Sequence, residues 1–361
     1  MHSLIRRAWV DVDLGALLRN AQAIAARAGV PLLPMVKADG YGLGAVRVAR
    51  ALEPLEPWGF GVATVGEGEE LRRAGIMRPI VVFTPLLVGD FDAAERANLT
   101  PALGARDAIV RWQRTGRPWQ LAIDTGMNRA GLPWTDVESL RGLLAVDGPE
   151  GVFTHFHSAE RNDATRDEQE RRFDTALAQL PVRPAMIHAE NSPAVEHRGP
   201  SRWTVVRPGV FLYGVSSGNA PAMLPEGVAS VRARVIDLRT VPSGETVSYG
   251  ATWRADGERR IATLAIGYGD GYRRAFGNRA TVLLHGRRAP VVGAVTMDMT
   301  MADVTGMSCE IGDVATLLGV DDSERITLNE LAECGELSPY ELLTGLRGRL
   351  PRRYIDPMDG A

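Results

Sequence analysis

The sequence predicts an α/β protein, an N-terminal (β/α)8 TIM-like barrel followed by a C-terminal, mostly antiparallel β domain. Three observations carry this. Through the first 215 residues, short apolar runs recur at roughly the spacing of successive βα units, with helical patterns between them. Beyond residues 216–221, a polar stretch containing Gly218 and Pro221, turn-separated β runs take over. The chain has 361 residues, 45% of them hydrophobic, too many for one small domain and enough for two cores.

The elements follow in order. After Asp13, the residues Leu14, Leu17, Leu18, Ala21, Ile24 and Ala25 recur at helical spacing. Residues 30–36 then predict a first buried strand, and 58–63, 79–83, 119–123, 152–154, 185–187 and 204–206 predict its successors, with helices such as 163–180 between. Seven or eight such units predict a closed parallel barrel rather than an open sheet. In the second half, 230–241, 260–266, 280–284, 289–295 and 314–318 predict antiparallel strands, and 328–333 and 339–346 predict short helices. The expected domains are 1–215 and 216–361, with the option that the first strand joins the C-terminal sheet.

Composition excludes several functions. Formal net charge is −3, from 41 basic and 44 acidic residues, which does not suit a nucleic-acid backbone reader or a polybasic membrane binder. Cys309 and Cys334 are the two cysteines, without metal-type spacing or a disulfide framework. Residues 1–11 carry two arginines and then run into the aspartates Asp11 and Asp13, with no apolar stretch of signal-peptide length. No run has the length and apolarity of a membrane helix. The expected location is a reducing cytoplasm.

The most informative count is that 40 of the 41 basic residues are arginine and one, Lys37, is lysine. Had this position needed only positive charge, arginine would serve. A guanidinium stays protonated and cannot act as an amine nucleophile, whereas a Schiff base requires a primary amine. Lys37 also follows the first predicted strand, and catalytic groups of parallel barrels sit at C-terminal strand ends. Other predicted strand ends carry Asp124-Thr125-Gly126-Met127-Asn128-Arg129, His155-Phe156-His157, His188-Ala189-Glu190-Asn191-Ser192 and Arg207-Pro208-Gly209-Val210. Backbone N–H groups of Gly209 and Val210, helped by Asn191 and Ser192, could hold a phosphate. With Lys37, they describe a site for a phosphate-bearing aldehyde, and an aldolase-type imine with substrate remains the alternative.

Val36-Lys37-Ala38-Asp39-Gly40-Tyr41-Gly42 resembles the pyridoxal-phosphate attachment motif of the alanine racemases, a fold-type III pyridoxal-phosphate family. Val247-Ser248-Tyr249-Gly250-Ala251-Thr252, Gly267-Tyr268-Gly269-Asp270-Gly271, Met297-Asp298 and Pro351-Arg352-Arg353-Tyr354 continue the resemblance in the family's order. It implies a cytoplasmic isomerase that interconverts L- and D-alanine through a pyridoxal 5'-phosphate aldimine and supplies D-alanine for peptidoglycan. It also implies a head-to-tail homodimer, Lys37 working on one face of Cα and the partner's tyrosine, at position 249, on the other. Arg207, supported by His155, would face the pyridine nitrogen; an arginine there can only donate, which keeps that nitrogen unprotonated. Tyr41, Asn191, Ser192, Gly209, Val210 and Tyr354 would hold the cofactor. Arg129, Met297, Asp298 and Tyr268 would attend the substrate.

This sequence departs from the family pattern at Ala122, where many members have a carbamylated lysine that steadies the arginine equivalent to Arg129. Ala294, Thr296, Leu43, His157 and Glu160 are also atypical, so a broader alanine/serine specificity is a second expectation. A third reading takes His155, His157, His188, Asp298 and a carboxylated Lys37 as a metal-dependent hydrolase site.

Overall fold

The computed structural model describes residues 6–161, 163–218 and 222–356. The N-terminal segment 1–5, and residues 219–221 of the expected linker, lie outside the described residues. The first half builds a parallel sheet in the order Phe60–Val62, Ile80–Val82, Thr100–Leu103, Gln120–Asp124, Gly151–Phe153 and Met186–His188, with Leu132–Pro133 beside Gln120–Asp124. These strands are buried on both faces, as a barrel covered by helices requires.

Two segments expected as strands close the ring without forming regular ladders. Residues 30–36 contribute single bridges, Leu32 to Val206 and Met35 to Gly61, and residues 204–206 are held by Thr204 N–H to Ile187 O at 2.9 Å. Pro31 and Pro34 lack the N–H groups a ladder needs, so this stretch donates only through Leu33, Met35 and Val36, while the carbonyls of Pro31, Leu32 and Pro34 accept from Val206, Trp58 and Gly61. The strand Thr100–Leu103 escapes the sequence pattern because Pro101 interrupts a short run.

The C-terminal sheet runs Arg287–Pro290, Thr281–Leu284, Val314–Asp321, Ala229–Val241, Ala8–Asp13 and Arg352–Ile355, with Arg259–Leu264 bridging Ala229–Val241 to Thr300–Asp303. The run expected over 289–295 stops at Pro290, and Thr300–Asp303 takes up the ladder instead. The N-terminal strand Ala8–Asp13 belongs to this sheet: Val10 faces Val231 in the antiparallel register and Arg352 in the parallel one. Asp11, buried there, takes Arg232 at 3.0 Å and Arg353 at 2.6 Å, which fixes the register by charge as well as by packing. The helices Leu328–Gly335 and Pro339–Thr344 occur as expected. Among the described residues, no helix is long and apolar enough to cross a membrane.

Candidate functional site

Lys37 opens a turn with unusual backbone geometry. From Ala38 to Tyr41 the φ angles are 52°, 53°, 59° and 53°, a left-handed helical turn in which three of the four residues are not glycine. Each L-residue in this region costs about 1 kcal/mol or more. The turn persists because its surroundings over-determine it. Gly40 N–H donates to Val36 O at 2.9 Å, Gly42 N–H to Ala38 O at 2.8 Å and Gly44 N–H to Asp39 O at 2.8 Å. The Asp39 carboxylate accepts from Ala45 N–H at 2.8 Å and starts the helix Ala45–Leu52. Arg352, from the last strand, donates to Gly42 O at 3.0 and 2.8 Å. Gly42, at φ 83°, must be glycine: a Cβ there would sit 2.5 Å from Leu343 O.

The Lys37 amine is largely shielded and forms no hydrogen bond or ion pair among the described residues. Burial pushes its pKa down, the charges of Arg129 and Arg207 push the same way, and Glu67 opposes them. Arg129 is exposed and carries no hydrogen bond among the described residues.

Arg207 sits at the bottom of the barrel mouth, 3% exposed. Its Nη1 donates to His188 Nδ1 at 2.7 Å, and its Nη2 donates to Thr154 O at 2.7 Å and Ala189 O at 3.0 Å and approaches His155 Nδ1 at 3.2 Å. Its guanidinium lies 5.2 Å from the Phe153 ring centroid. Only Nε is left without a partner among the described residues. Burial lowers the Arg207 pKa, opposed by Glu190, and lowers that of His155 to about 3, with Arg207, Arg129 and Lys37 adding to the effect. His155 is therefore a neutral acceptor at working pH.

His188, expected at a strand end and weighed there as a metal ligand, holds Arg207 instead. In the structure it is fully buried and stacked on Phe153 at 5.1 Å. Because Nδ1 accepts from Arg207, Nε2 carries the proton and donates to Gln120 Oε1 at 3.2 Å. A second proton would meet the guanidinium, so burial and Arg207 hold the His188 pKa well down. The sign follows: below about pH 6.5 an unfolded histidine binds a proton that the folded one refuses, so stability falls with pH by about 1.4 kcal/mol per unit per such group. Urea unfolding between about pH 7 and 5 is expected to show a shallower decline in His188→Gln than in the unmodified chain. Equal slopes would refute the neutral-histidine assignment.

An anion cradle lies beside this arginine. The Asn191 side chain accepts from Ala194 N–H at 3.2 Å and caps the helix Ser192–Arg198. Ser192 Oγ accepts from Gly209 N–H at 2.9 Å and Phe211 N–H at 3.3 Å, leaving its own O–H free to donate. Gly209 N–H, expected to bind phosphate directly, is thus engaged by Ser192, and Asn191 acts as a cap. The N–H groups of Ser192 and Val210 have no partner among the described residues. Tyr41, stacked on Tyr213 at 4.5 Å, brings its hydroxyl to the same place: a Cβ on Gly209 would lie 2.6 Å from it. Two backbone donors, two hydroxyls and a space that only glycine leaves open suit a phosphate. With a lone amine and an open Nε–H nearby, the donor set fits pyridoxal phosphate.

The remaining expected residues lie elsewhere. Tyr354 OH donates to Leu43 O at 3.0 Å, and Arg47 stacks 4.7 Å from its ring centroid. Tyr249, Tyr268 and Met297 are 74%, 38% and 53% exposed on the C-terminal domain, and Asp298 pairs with Arg349 at 2.7 Å. Tyr249 follows Ser248 at φ 67°, whose Oγ donates to Ala294 O at 2.7 Å and so fixes the turn that presents the phenol. His157 turns to Ser158, away from His155, and no group of three His, Cys, Asp or Glu side chains converges as metal ligands among the described residues.

Comparison with known proteins agrees with this geometry. The family description "Alanine racemase, N-terminal domain" matches residues 12–217, and "Alanine racemase, C-terminal domain" matches 228–354. The alanine racemase of Symbiobacterium thermophilum is 38% identical over 97% of both chains, and that of Geobacter sulfurreducens 37% over 96% of this chain and 97% of that one. Among solved structures, alanine racemase from E. faecalis superposes with a TM-score of 0.92 at 30% identity, covering 97% of this chain and 98% of that one. The Bartonella henselae enzyme with covalently bound pyridoxal phosphate gives 0.90 at 26% identity, covering 97% and 100%. On the sequence matches across both domains, together with the superposed structures, the chain belongs to the alanine racemase family.

Proposed function

We propose that the chain interconverts L- and D-alanine with pyridoxal 5'-phosphate held in the barrel mouth. The observation that carries this is the chain's single lysine, set by a left-handed turn beside a buried arginine and an open anion cradle. When bound, pyridoxal phosphate supplies an aldehyde that links to amines and a ring that accepts the electron pair left at Cα. The residues do the rest. Lys37, its pKa lowered, moves a proton on one face of Cα. A base confined to one face would return the proton where it came from, so inversion needs a second group opposite.

Tyr249 fills that role in trans. Its exposure in a single chain, alongside Tyr268 and Met297, is what a surface covered by a second copy would have. We therefore infer a head-to-tail homodimer, with the domain boundary near residue 215 and Met297 and Asp298 lent to the partner's substrate, Tyr268 lining the entrance. Arg207 would donate through Nε to the ring nitrogen, with His155 and His188 holding the guanidinium. Tyr41, Ser192 and Val210 would bind the phosphate, Gly209 would leave room for it, and Asn191 would orient the helix that presents it. Tyr354 would brace the turn from the last strand, and Arg129 would take the substrate carboxylate.

The test is chiral product analysis with the holoenzyme across a panel of amino acids. Alanine is expected to racemise, and the serine rate reads the breadth of specificity. Tyr249→Phe is expected to lose about 10²- to 10⁴-fold in turnover while retaining the visible absorbance of bound cofactor. Full turnover in this variant would remove Tyr249 from the mechanism.

A further inference from the structure

Glu67 does more than its local sequence requires. It occupies the third position of the helix Val65–Arg73, and with Thr64 it forms a capping box: Thr64 Oγ1 accepts from Glu67 N–H at 3.3 Å, and Glu67 Oε2 accepts from Thr64 N–H at 3.3 Å. A capping box uses one carboxylate oxygen. Here Oε2 also takes Ala63 N–H at 2.7 Å, and Oε1 reaches out of the helix to Ala38 N–H at 2.8 Å. Ala38 is the first residue of the left-handed turn and the neighbour of Lys37.

We propose that Glu67 is the positioning residue of the lysine, its carboxylate clamping the first peptide of the left-handed turn to the loop after Phe60–Val62 while supplying an anion beside the amine. The Ala38 N–H belongs to the peptide that leaves Lys37, so fixing it fixes the direction of the Lys37 Cα–Cβ bond. Without the clamp, a turn with three non-glycine residues at positive φ loses the contact that ties its first residue to the barrel. The charge has its own effect. The groups facing the amine are Arg129, Arg207, the neutral His155 and Glu67, so two cations push against its proton and one anion holds it.

For turnover this inference rests on the racemase reading. For the clamp on Ala38 it rests on geometry. Because Lys37 is the chain's one lysine, acetylation with acetic anhydride followed by peptide mapping reports on that side chain without interference. The full chain is treated with hydroxylamine and dialysed so that the amine is free, and labelling is followed against pH. Glu67→Gln can offer only one acceptor oxygen and no charge. Its labelling midpoint is expected to fall by about half a pH unit, the scale of a half-exposed ion contact, with faster hydrogen exchange at Ala38. Its kcat is expected to fall by about ten-fold with KM little changed.

Glu67→Asp keeps charge and capping position but is one methylene short. It is expected to hold the midpoint while Ala38 exchange still quickens. Thr64→Ala weakens the helix cap and is expected to lower Tm with the midpoint unmoved. Should Glu67→Gln not fold, the aspartate and Thr64 variants decide. An unchanged midpoint and unchanged Ala38 exchange in folded Glu67→Gln would overturn the proposal. So would a shift of the same size in Thr64→Ala, which would make the effect one of helix integrity. If the unmutated chain fails to racemise alanine, the functional reading falls and the labelling comparison still tests the clamp.

Discussion

Lys37→Arg is expected to give a folded chain that does not racemise alanine, with turnover down by at least about 10³-fold and no visible absorbance from a cofactor linked to protein. The substitution preserves charge, length and the preference shown at every other basic position of this chain. What it removes is an amine that can lose its proton. Lys37 sits among Arg129 and Arg207, and burial and those charges ease that loss; a guanidinium in the same place stays protonated. Lys37→Ala should be equally inactive, and added small amines should restore some turnover to the alanine variant but not to the arginine one, whose side chain fills the space. Circular dichroism and chiral product analysis check both. Normal turnover in Lys37→Arg would refute covalent attachment at this residue.

Arg207→Leu is expected to cost about 3–5 kcal/mol of stability, the largest single loss among the site residues, because it strands buried acceptors. Thr154 O, Ala189 O and His188 Nδ1 all take hydrogens from this guanidinium at 2.7 to 3.0 Å. The leucine can satisfy none of them. Arg207→Lys should fall between, since three hydrogens on a point charge cannot reproduce a planar fork. Urea denaturation measures the ordering. A leucine variant as stable as the parent would mean that water replaces the guanidinium, and the network around His188 would then be incidental.

The candidate site was legible in the sequence wherever chemistry restricts the residue type. Lys37 stood out because arginine could not replace it, and Arg207, His155 and Ser192 followed from their places after strands. Residues whose roles depend on contacts distant in sequence were not legible. Glu67 carries the signature of a helix cap, and nothing in Thr64-Val65-Gly66-Glu67 says that its second oxygen reaches Ala38. Nothing in His188-Ala189-Glu190 says that the imidazole meets Arg207 rather than a metal. Individual strands were misread where proline thinned the ladders, at residues 30–36 and at Thr100–Leu103, and boundaries slipped by one residue at Gly151–Phe153 and Met186–His188.

The strand Ala8–Asp13 lies between Ala229–Val241 and Arg352–Ile355 in the C-terminal sheet. On the ribosome it emerges before either partner and meets the last of them only when residue 355 has left the tunnel. At typical synthesis rates of about 5–20 residues per second, it spends many seconds as an unpaired apolar edge while the barrel between its partners is made. Such long-range pairing is slow to form and exposed to misassembly. Asp11, without its partners until Arg232 and Arg353 are made, places a charge in that waiting edge, which discourages pairing with other chains. The aspartate that sets register in the finished sheet is thus also the charge that this edge carries while it waits.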